Sequence, residues 1–250
     1  MELVRSMEMA ARNLELSLCP TGDYLPYHKL HIDRQYRAKV LFYDCYHNVG
    51  RWLDAMLRLE EAIGYQIPPE LESVMLRHAR SMFDNPDHLP FTPIGNNHVE
   101  PYFELHSLRE GLMALNALAK YRGSRWAVQQ GNRMLESMMS LSRPDSSWTL
   151  EAFDYYHKLG TPETAEAYRQ PNVSHNGRII EALVWFYETT GNSIAIELAD
   201  RFATYHLEHT VHNDGTFNSE SDSGHTHSYL NTLRGLLLFG QLTNQRQYIE

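Results

Sequence analysis

The sequence predicts an all-α protein, an (α/α)6-type toroid of helical hairpins in which about four pairs are visible. Three observations predict this class. Long segments carry apolar residues at helical spacing, an apolar helix is repeatedly followed by an amphipathic one, and the connections between these pairs are long and irregular. Convincing period-two strands are absent from the pattern.

Apolar spacing defines the individual helices. Leu108, Leu112 and Leu115 recur at intervals of three and four residues, which places them on one face of a helix. Ile180 and Leu183 begin a similar stripe later in the chain. The predicted helices cover residues 2–18, 34–64, 69–83, 104–121, 125–141, 177–190, 193–209 and 229–242.

The helices form a repeat of about 50–70 residues, typical of an array of helical hairpins. Gly123 and Gly191 stand where a left-handed residue ends a helix. Glycines near the starts of the first helices would let neighbouring backbones come close. These glycines are Gly50, Gly111, Gly177 and Gly235.

The connections between hairpins favour a closed toroid over an open solenoid. They span residues 84–103, 142–176 and 210–228. Solenoid repeats have short, even connections, and loops beyond about 12–15 residues are uncommon unless they serve a function. Because the short turns lie at one end of the hairpins, we expect the long loops and the N-termini of the inner helices to converge on one mouth at the other.

No linker divides the chain, so residues 1–250 are expected to form a single catalytic-type toroid domain. Six hairpins at this spacing would need roughly 330–400 residues, which predicts a domain truncated at its C-terminus. An incomplete barrel would expose apolar inner-helix surface. We therefore expect this form of the protein to aggregate or to oligomerise.

Composition limits the classes of partner. A net charge of −9 argues against nucleic acid and anionic membranes as partners. No apolar run approaches the ~18–20 residues of a membrane-spanning helix, and the N-terminus lacks a signal-peptide pattern. Two cysteines cannot form a disulfide framework or a four-sulfur metal site. The sequence predicts a soluble, cytoplasmic protein whose oligomeric state is open.

Fourteen histidines are present, and most lie in or beside the long connections. Imidazoles and carboxylates accept hydrogen bonds from hydroxyls, and aromatic faces stack on sugar rings. This combination predicts a carbohydrate substrate. The candidate substrate-binding residues are His47, Tyr102, Glu104, His106, His175, Asn176, His225 and His227.

The candidate catalytic residues are Glu181, Glu220 and Asp222. Glycoside hydrolysis needs one acid to protonate the leaving oxygen and a second carboxylate, which either acts as the nucleophile or activates water. Glu181 lies on an otherwise apolar inner helix, where a carboxylate must be paired or near water. His106 and Glu110 are spaced as a helix-surface pair, so that both a surface role and a pocket role stay open for them.

Other histidines have simpler interpretations. His78, His206 and His209 fall on predicted outer helices, as solvated or packing residues. His225 and His227, with Glu220 and Asp222, could be read as a metal site. No cysteine or further histidine lies at conventional zinc spacing, so no metal is predicted and no cofactor is identified.

The chain resembles the β-L-arabinofuranosidase family of glycoside hydrolases in the order and spacing of its elements, over about residues 40–250. His47-Asn-Val-Gly-Arg-Trp-Leu-Asp-Ala is similar to the family's His-x-x-Gly-His-Tyr-Leu-x-Ala element, with Arg51 and Trp52 replacing His-Tyr. Pro101-Tyr-Phe-Glu-Leu-His-Ser-Leu-Arg-Glu-Gly-Leu is similar to its Pro-Trp-Tyr-x-x-His-Lys-x-x-x-Gly-Leu element. Gly224-His-Thr-His-Ser-Tyr resembles the family's His-Ala-Asn-Thr stretch.

The resemblance implies an (α/α)6 barrel and makes His106, Glu181 and His225 candidate sugar-pocket residues. His175-Asn-Gly-Arg-Ile-Ile-Glu occupies the place of a Gly-Gly-Met-Asn-Glu element and keeps its glycine and glutamate. Members of the family use a cysteine nucleophile in a zinc–cysteine–glutamate site. Cys19 and Cys45 do not match that cysteine, so neither the nucleophile nor the zinc is carried over.

Two alternatives to a glycoside hydrolase stay open. A polysaccharide lyase or a sugar epimerase on the same barrel would abstract a proton next to a uronate carboxylate and would need arginine near the mouth, where Arg109, Arg178 and Arg234 are predicted. The other alternative is a non-catalytic helical-repeat protein that binds a peptide or protein partner. In that case the histidines would be scattered and the long loops would not converge.

Overall fold

The computed structural model describes residues 2–26, 29–35, 38–42, 45–92, 102–103, 105–149, 170–212, 214–218 and 225–250. These ranges are mostly helical, which confirms the predicted all-α class. The α-helices are α1 Glu2–Leu16, α2 Cys45–Ile63, α3 Pro69–Met82, α4 Ser107–Arg122, α5 Arg125–Leu141, α6 Ile180–Thr190, α7 Ser193–His209 and α8 Thr226–Thr243. A π-helical turn at Val173–Gly177 precedes α6, and 3-10 turns lie at Pro20–Gly22 and Arg246–Tyr248.

Three small antiparallel strand pairs accompany the helices. They are β1 Leu18–Cys19 with β2 Leu25–Pro26, β3 Lys29–Ile32 with β4 Ala38–Phe42, and β5 Phe91–Thr92 with β6 Tyr102–Phe103. In the longest pair, Leu30 lies opposite Val40 and Ile32 opposite Ala38. Each pair is a two-stranded sheet of its own.

The predicted helix over 34–64 is wrong in its first third, because residues 38–42 form β4 and α2 begins only at Cys45. Ala38, Val40 and Phe42 alternate along this segment, and a short apolar run fits a strand and a helix equally well. The carboxylate of Asp33 accepts a hydrogen bond from the backbone N–H of Gln35 at 2.8 Å. Such an Asx turn favours chain reversal over helix. The other seven helices begin and end within three residues of their predicted bounds.

The helices pack as pairs, and the first helices of the pairs lie side by side. α2 packs with α3, α4 with α5 and α6 with α7. α2 also packs against α4, α4 against α6 and α6 against α8, while α1 packs against α2. We call α2, α4, α6 and α8 the inner helices. They form a row in chain order, as the toroid prediction requires, but the described residues show this row and not a closed ring.

Two glycines let neighbouring inner helices approach backbone to backbone, as predicted. A Cβ atom on Gly50 of α2 would lie 2.1 Å from the carbonyl oxygen of Glu110 in α4. A Cβ atom on Gly235 of α8 would lie 2.8 Å from Cβ of Ile180 and 3.1 Å from the backbone nitrogen of Glu181. Because real Cβ contacts are longer, only glycine fits at these crossings without a shift. Both crossings lie beside a glutamate of the facing helix.

The helix ends also follow the prediction. Gly123 and Gly191 have φ angles of +59° and +71° and end α4 and α6 in the left-handed conformation. Their backbone N–H groups donate to the carbonyls of Leu118 and Tyr187. These hydrogen bonds satisfy acceptors that a helix end would otherwise leave unpaired.

α4 lies at the centre of the hydrophobic core, which extends from Ala11 in α1 to Tyr248 near the C-terminus. Residues 107–119 of α4 are all buried, including charged Arg109 and Glu110. Buried charges must be paired to be tolerated. Arg109 and Glu110 therefore indicate that a cluster of paired charges lies beside α4. None of the helices in the described ranges is both long and apolar enough to cross a lipid bilayer.

Candidate functional site

Charged side chains from all four inner helices meet close to the N-termini of α4 and α6. We call this group the Arg–Glu cluster; it consists of Arg51, Arg109, Glu110, Arg178, Glu181 and Arg234. Glu110, Arg178 and Glu181 are 0% exposed. Burial of an ion costs several kcal/mol unless partners replace its water, so these groups depend on one another.

Glu110 is the most heavily paired member. Its Oε1 accepts hydrogen bonds from Arg51 Nε at 3.2 Å and from Arg109 Nη1 at 3.0 Å, and a further one from Arg178 Nη2. Its Oε2 lies 3.6 Å from Nδ1 of His47. Burial alone would raise the pKa of Glu110, but the surrounding cationic groups, Arg178 first among them, lower it to about 2. Glu110 is therefore a permanent carboxylate at neutral pH and has no proton to give.

Arg109 joins the carboxylates of two helices. Its Nε donates to Oε1 of Glu181 in α6 at 2.7 Å, and its Nη2 contacts the same oxygen. Its Nη1 reaches Glu110 on its own helix. The second oxygen of Glu181, Oε2, lies 3.4 Å from Nη1 of Arg234 in α8. Glu181 is thus an inner-helix carboxylate with one arginine on each oxygen.

His47 and His106 stack beside the cluster. Their ring centroids are 4.7 Å apart with an interplanar angle of 15°. Nη1 of Arg178 lies 2.6 Å from Nδ1 of His106. Burial, followed by the charge of Arg178, lowers the pKa of His106 to about 2. The imidazole is therefore neutral at physiological pH, where it accepts a hydrogen bond from the guanidinium instead of carrying a proton.

The two histidines at the start of α8 have different roles. Nδ1 of His225 accepts a hydrogen bond from the backbone N–H of Ser228 at 3.2 Å, which caps the helix. His227 is exposed, and its ring centroid is 6.2 Å from that of His225. Partial burial, then the charges of Arg178, Arg51 and Arg109, lower the pKa of His227. His227 therefore belongs to the electrostatic surroundings of the Arg–Glu cluster.

His175 and Asn176 hold the π-helical turn in place. Oδ1 of Asn176 accepts from Nε1 of Trp148 at 3.0 Å, and its Nδ2 donates to the carbonyl of Ser146 at 2.6 Å. Nδ1 of His175 lies 2.9 Å from Nδ2 of Asn172. Asn176 is fully buried, so both polar atoms of its amide are used within the protein.

The structure brings together some of the predicted residues and leaves others untested. His47, His106, Glu181 and His227 lie in or around the Arg–Glu cluster. Tyr102 lies in β6, of which only the backbone is described. Glu104, Glu220 and Asp222 lie outside the described residues.

Sequence reasoning missed Glu110 as the centre of the cluster and the part played by Arg51. It also missed a second layer in which Arg58 pairs with Asp54 at 2.8 Å and lies 4.3 Å from the Trp185 ring centroid. Arg234 lies 5.0 Å from the same centroid. A signal was present: polar or aromatic side chains recur at intervals of three and four along each inner helix or just before it. These stripes are His47, Arg51, Asp54 and Arg58; His106 and Glu110; Arg178, Glu181 and Trp185; and His227, Asn231 and Arg234.

No group of three or more histidine, cysteine, aspartate or glutamate side chains could hold a metal ion within the part of the chain that is described. The combination of His225 and His227 with Glu220 and Asp222 is not tested by this, because both acids lie outside that part. Cys19 is buried in β1, with its Sγ 3.4 Å from Oγ1 of Thr21.

Two histidines of the outer helices are packing residues, which is one of the two roles that the sequence predicts for them. His206 of α7 is fully buried, its Nδ1 lies 2.7 Å from Oγ1 of Thr210, and burial lowers its pKa to about 3. Nε2 of His78 in α3 lies 2.8 Å from the carbonyl oxygen of Asp23. His209 is half-exposed.

Searches for similar proteins add no family to this geometry. The chain matches no protein-family model, no curated protein and no solved structure.

Proposed function

We propose that the Arg–Glu cluster and the histidines around it form the substrate site of a carbohydrate-active enzyme. The observation that carries the proposal is the convergence of ionisable side chains from four successive helices on one place. A buried ionic network is a poor way to stabilise a helical core, because apolar side chains of similar volume often do better. Ionisable groups with displaced pKa values are typical of binding and catalytic sites.

The chemistry of the cluster suits a ligand rich in hydroxyl groups. The side chains of Arg51 and Arg234 are 39% and 56% exposed, so their remaining N–H groups are available as donors. Oε2 of Glu181 is buried and has no hydrogen bond of normal geometry among the described residues, so it could accept one from a hydroxyl only where Arg234, 3.4 Å away, turns aside. Donors and acceptors placed side by side recognise neighbouring hydroxyls of a sugar.

We propose glycoside hydrolysis as the reaction, with Glu181 as the carboxylate that acts as the nucleophile or activates a water molecule. Arg109 and Arg234 contact its two oxygens and so fix the orientation of the carboxylate, which this role requires. Glu110 is unsuited to be the partner acid, since its pKa is about 2. The acid is assigned to Glu220 or Asp222 of the connection before α8, following the sequence prediction.

A polysaccharide lyase or a sugar epimerase is the second candidate, and the arginines of the cluster favour it. These reactions remove a proton beside a carboxylate that must be held and neutralised. His227 is exposed and has a lowered pKa, so it is unprotonated at neutral pH and able to accept that proton. Its position near Arg178 and Arg51 would place the base beside the bound carboxylate.

The test is turnover of aryl glycosides and of uronate-containing oligosaccharides by the protein and by two variants. Glu181→Gln keeps the volume and removes the charge, and we expect it to lower kcat at least about 100-fold. Glu188→Gln is the matched control, since Glu188 is an exposed residue of the same helix. Unsaturated products would select the lyase, and inversion at a sugar carbon without cleavage would select the epimerase.

Loss of activity in Glu181→Gln counts only if the variant melts cooperatively like the parent protein. If it does not, Arg234→Gln replaces it, because Arg234 contacts Glu181 from a more exposed position. Full activity in both variants would remove the cluster from catalysis. Tight binding of a peptide or protein partner without turnover of any glycan would favour the non-catalytic helical-repeat protein.

A further inference from the structure

The Arg–Glu cluster carries more positive than negative charge among the residues that the structure describes. Four guanidinium groups surround two carboxylates, those of Glu110 and Glu181. Asp54 and Arg58 nearby pair with each other and leave this balance unchanged. His106, with a pKa of about 2, is neutral. An excess of two positive charges therefore remains in this part of the molecule.

The excess charge is not relieved by the side chains that the structure describes. Arg178 is 0% exposed, and its Nε has no hydrogen-bond partner among the described residues. Burial, together with repulsion from Arg109 and Arg51, outweighs the attraction of Glu110 and lowers the pKa of Arg178 to about 10. A buried cation whose charge is this poorly compensated favours the arrival of an anion.

The excess charge also reaches solvent. Arg51 and Arg234 are the half-exposed arginines of the cluster, and His227 is exposed in the first turn of α8. Arg109, Glu110 and Glu181 lie in the first turns of α4 and α6, whose unpaired N–H groups add partial positive charge. Helix N-termini and guanidinium groups together are a common setting for oxyanions.

We propose that the cluster binds the carboxylate of an acidic saccharide, a uronate, with Arg51 and Arg234 as the guanidinium groups that reach it. A planar carboxylate matches the fork of a guanidinium group better than a hydroxyl does. The carboxylates already present hold the arginines in position, and the ligand's carboxylate supplies the missing negative charge. This inference rests on the proposed function and narrows it to acidic substrates.

The test compares trigalacturonate with its fully methyl-esterified form, in which every carboxylate is replaced by an uncharged ester. Isothermal titration of the chain is expected to give at least about tenfold tighter binding of the acid, with the difference shrinking as salt is raised. Arg234→Gln is expected to weaken binding of the acid about tenfold and to weaken binding of the ester less. Arg246→Gln is the control, because Arg246 is an exposed arginine paired with Glu250.

Several outcomes would overturn the inference. Equal binding of the acid and the ester would do so, and is expected if Glu104, Glu220 or Asp222 supplies the missing negative charge. Inorganic sulfate that competes with trigalacturonate at equal affinity would show a general anion site, not a saccharide site. An unchanged affinity for the acid in both Arg234→Gln and Arg51→Gln would also contradict it.

The outcome for the proposed function is separate. Turnover of a neutral glycoside by a protein that does not bind trigalacturonate would overturn the inference and leave the proposed function standing. Binding of trigalacturonate without turnover of any glycan would support the inference and overturn the enzymatic proposal.

Discussion

Arg109 and Glu181 join α4 to α6 through a buried ion pair, in which Nε of Arg109 donates to Oε1 of Glu181 at 2.7 Å. Arg109 also donates a hydrogen bond to Glu110, so that one guanidinium group partly neutralises the charges of two carboxylates. Glu181 is 0% exposed and Arg109 is 8% exposed, so the surrounding water replaces little of this pairing. Stability and site geometry are therefore coupled through one side chain.

Arg109→Leu is expected to destabilise the protein by about 3–5 kcal/mol, because it leaves two buried carboxylates with fewer partners. Urea unfolding followed by circular dichroism measures this loss. In the double variant Arg109→Leu/Glu181→Leu the loss should be smaller than the sum of the single losses, by about 1 kcal/mol or more. Strict additivity would contradict the pairing.

Gly50→Ala is expected to destabilise the protein by about 1–3 kcal/mol, because the added Cβ would meet the carbonyl oxygen of Glu110. Differential scanning calorimetry should show a lower Tm. Gln129→Ala, on the exposed face of α5, introduces the same residue into a helix without a neighbour to displace. A Tm loss of equal size in both variants would show that the α2–α4 crossing does not require glycine.

Acidification is expected to destabilise the protein from about pH 6.5 downwards. His106 and His206 have pKa values of about 2 and about 3 in the folded chain, so unfolding lets each take up a proton below its ordinary pKa of 6.5. Glu110 adds to the loss between its ordinary pKa of 4.5 and about 2, since its folded pKa is lowered. All three effects favour the unfolded state as the pH falls.

The free energy of unfolding, measured in urea at pH 7.0, 6.0 and 5.0, tests this. In His206→Leu the pH dependence over this range should be smaller than in the parent protein, because one buried histidine with a lowered pKa is gone. The parent slope retained in full would show that His206 does not take up a proton on unfolding.

Asn176→Ala is expected to cost about 1–3 kcal/mol, because Nε1 of Trp148 and the carbonyl of Ser146 lose their partner in the interior. Chemical denaturation measures the loss, and ligand affinity of the folded variant should stay unchanged. Ser140→Ala, at an exposed position of α5, is the control. A large loss of ligand affinity at unchanged stability would instead return Asn176 to the binding residues of the sequence prediction.

The helices were predictable because each carries its own apolar stripe, and glycines such as Gly123 mark where a helix ends. The β3–β4 hairpin was not, since Ala38, Val40 and Phe42 fit two periodicities and pairing with residues 29–32 decides between them. The conformation of such a segment is determined more by pairing with the neighbouring strand than by its own residues.

The helix faces that carry the Arg–Glu cluster were predictable, but the pairing of its side chains was not. The residues of each stripe share a helix face, which the sequence spacing shows. Which arginine meets which glutamate depends on the register between helices, and Gly50 and Gly235 fix that register through contacts about 60 residues apart in sequence. Spacing along one helix carries no such information, so Glu110 could be read as a surface residue.

The contact of Gly50 with the backbone of Glu110 also limits how the protein can open. With no side chain between α2 and α4 at this point, neither helix can be drawn apart there without exposing backbone that nothing else covers. We therefore expect that a ligand of the proposed site would be accommodated by turning of the arginine side chains, while the helices that carry them stay in place.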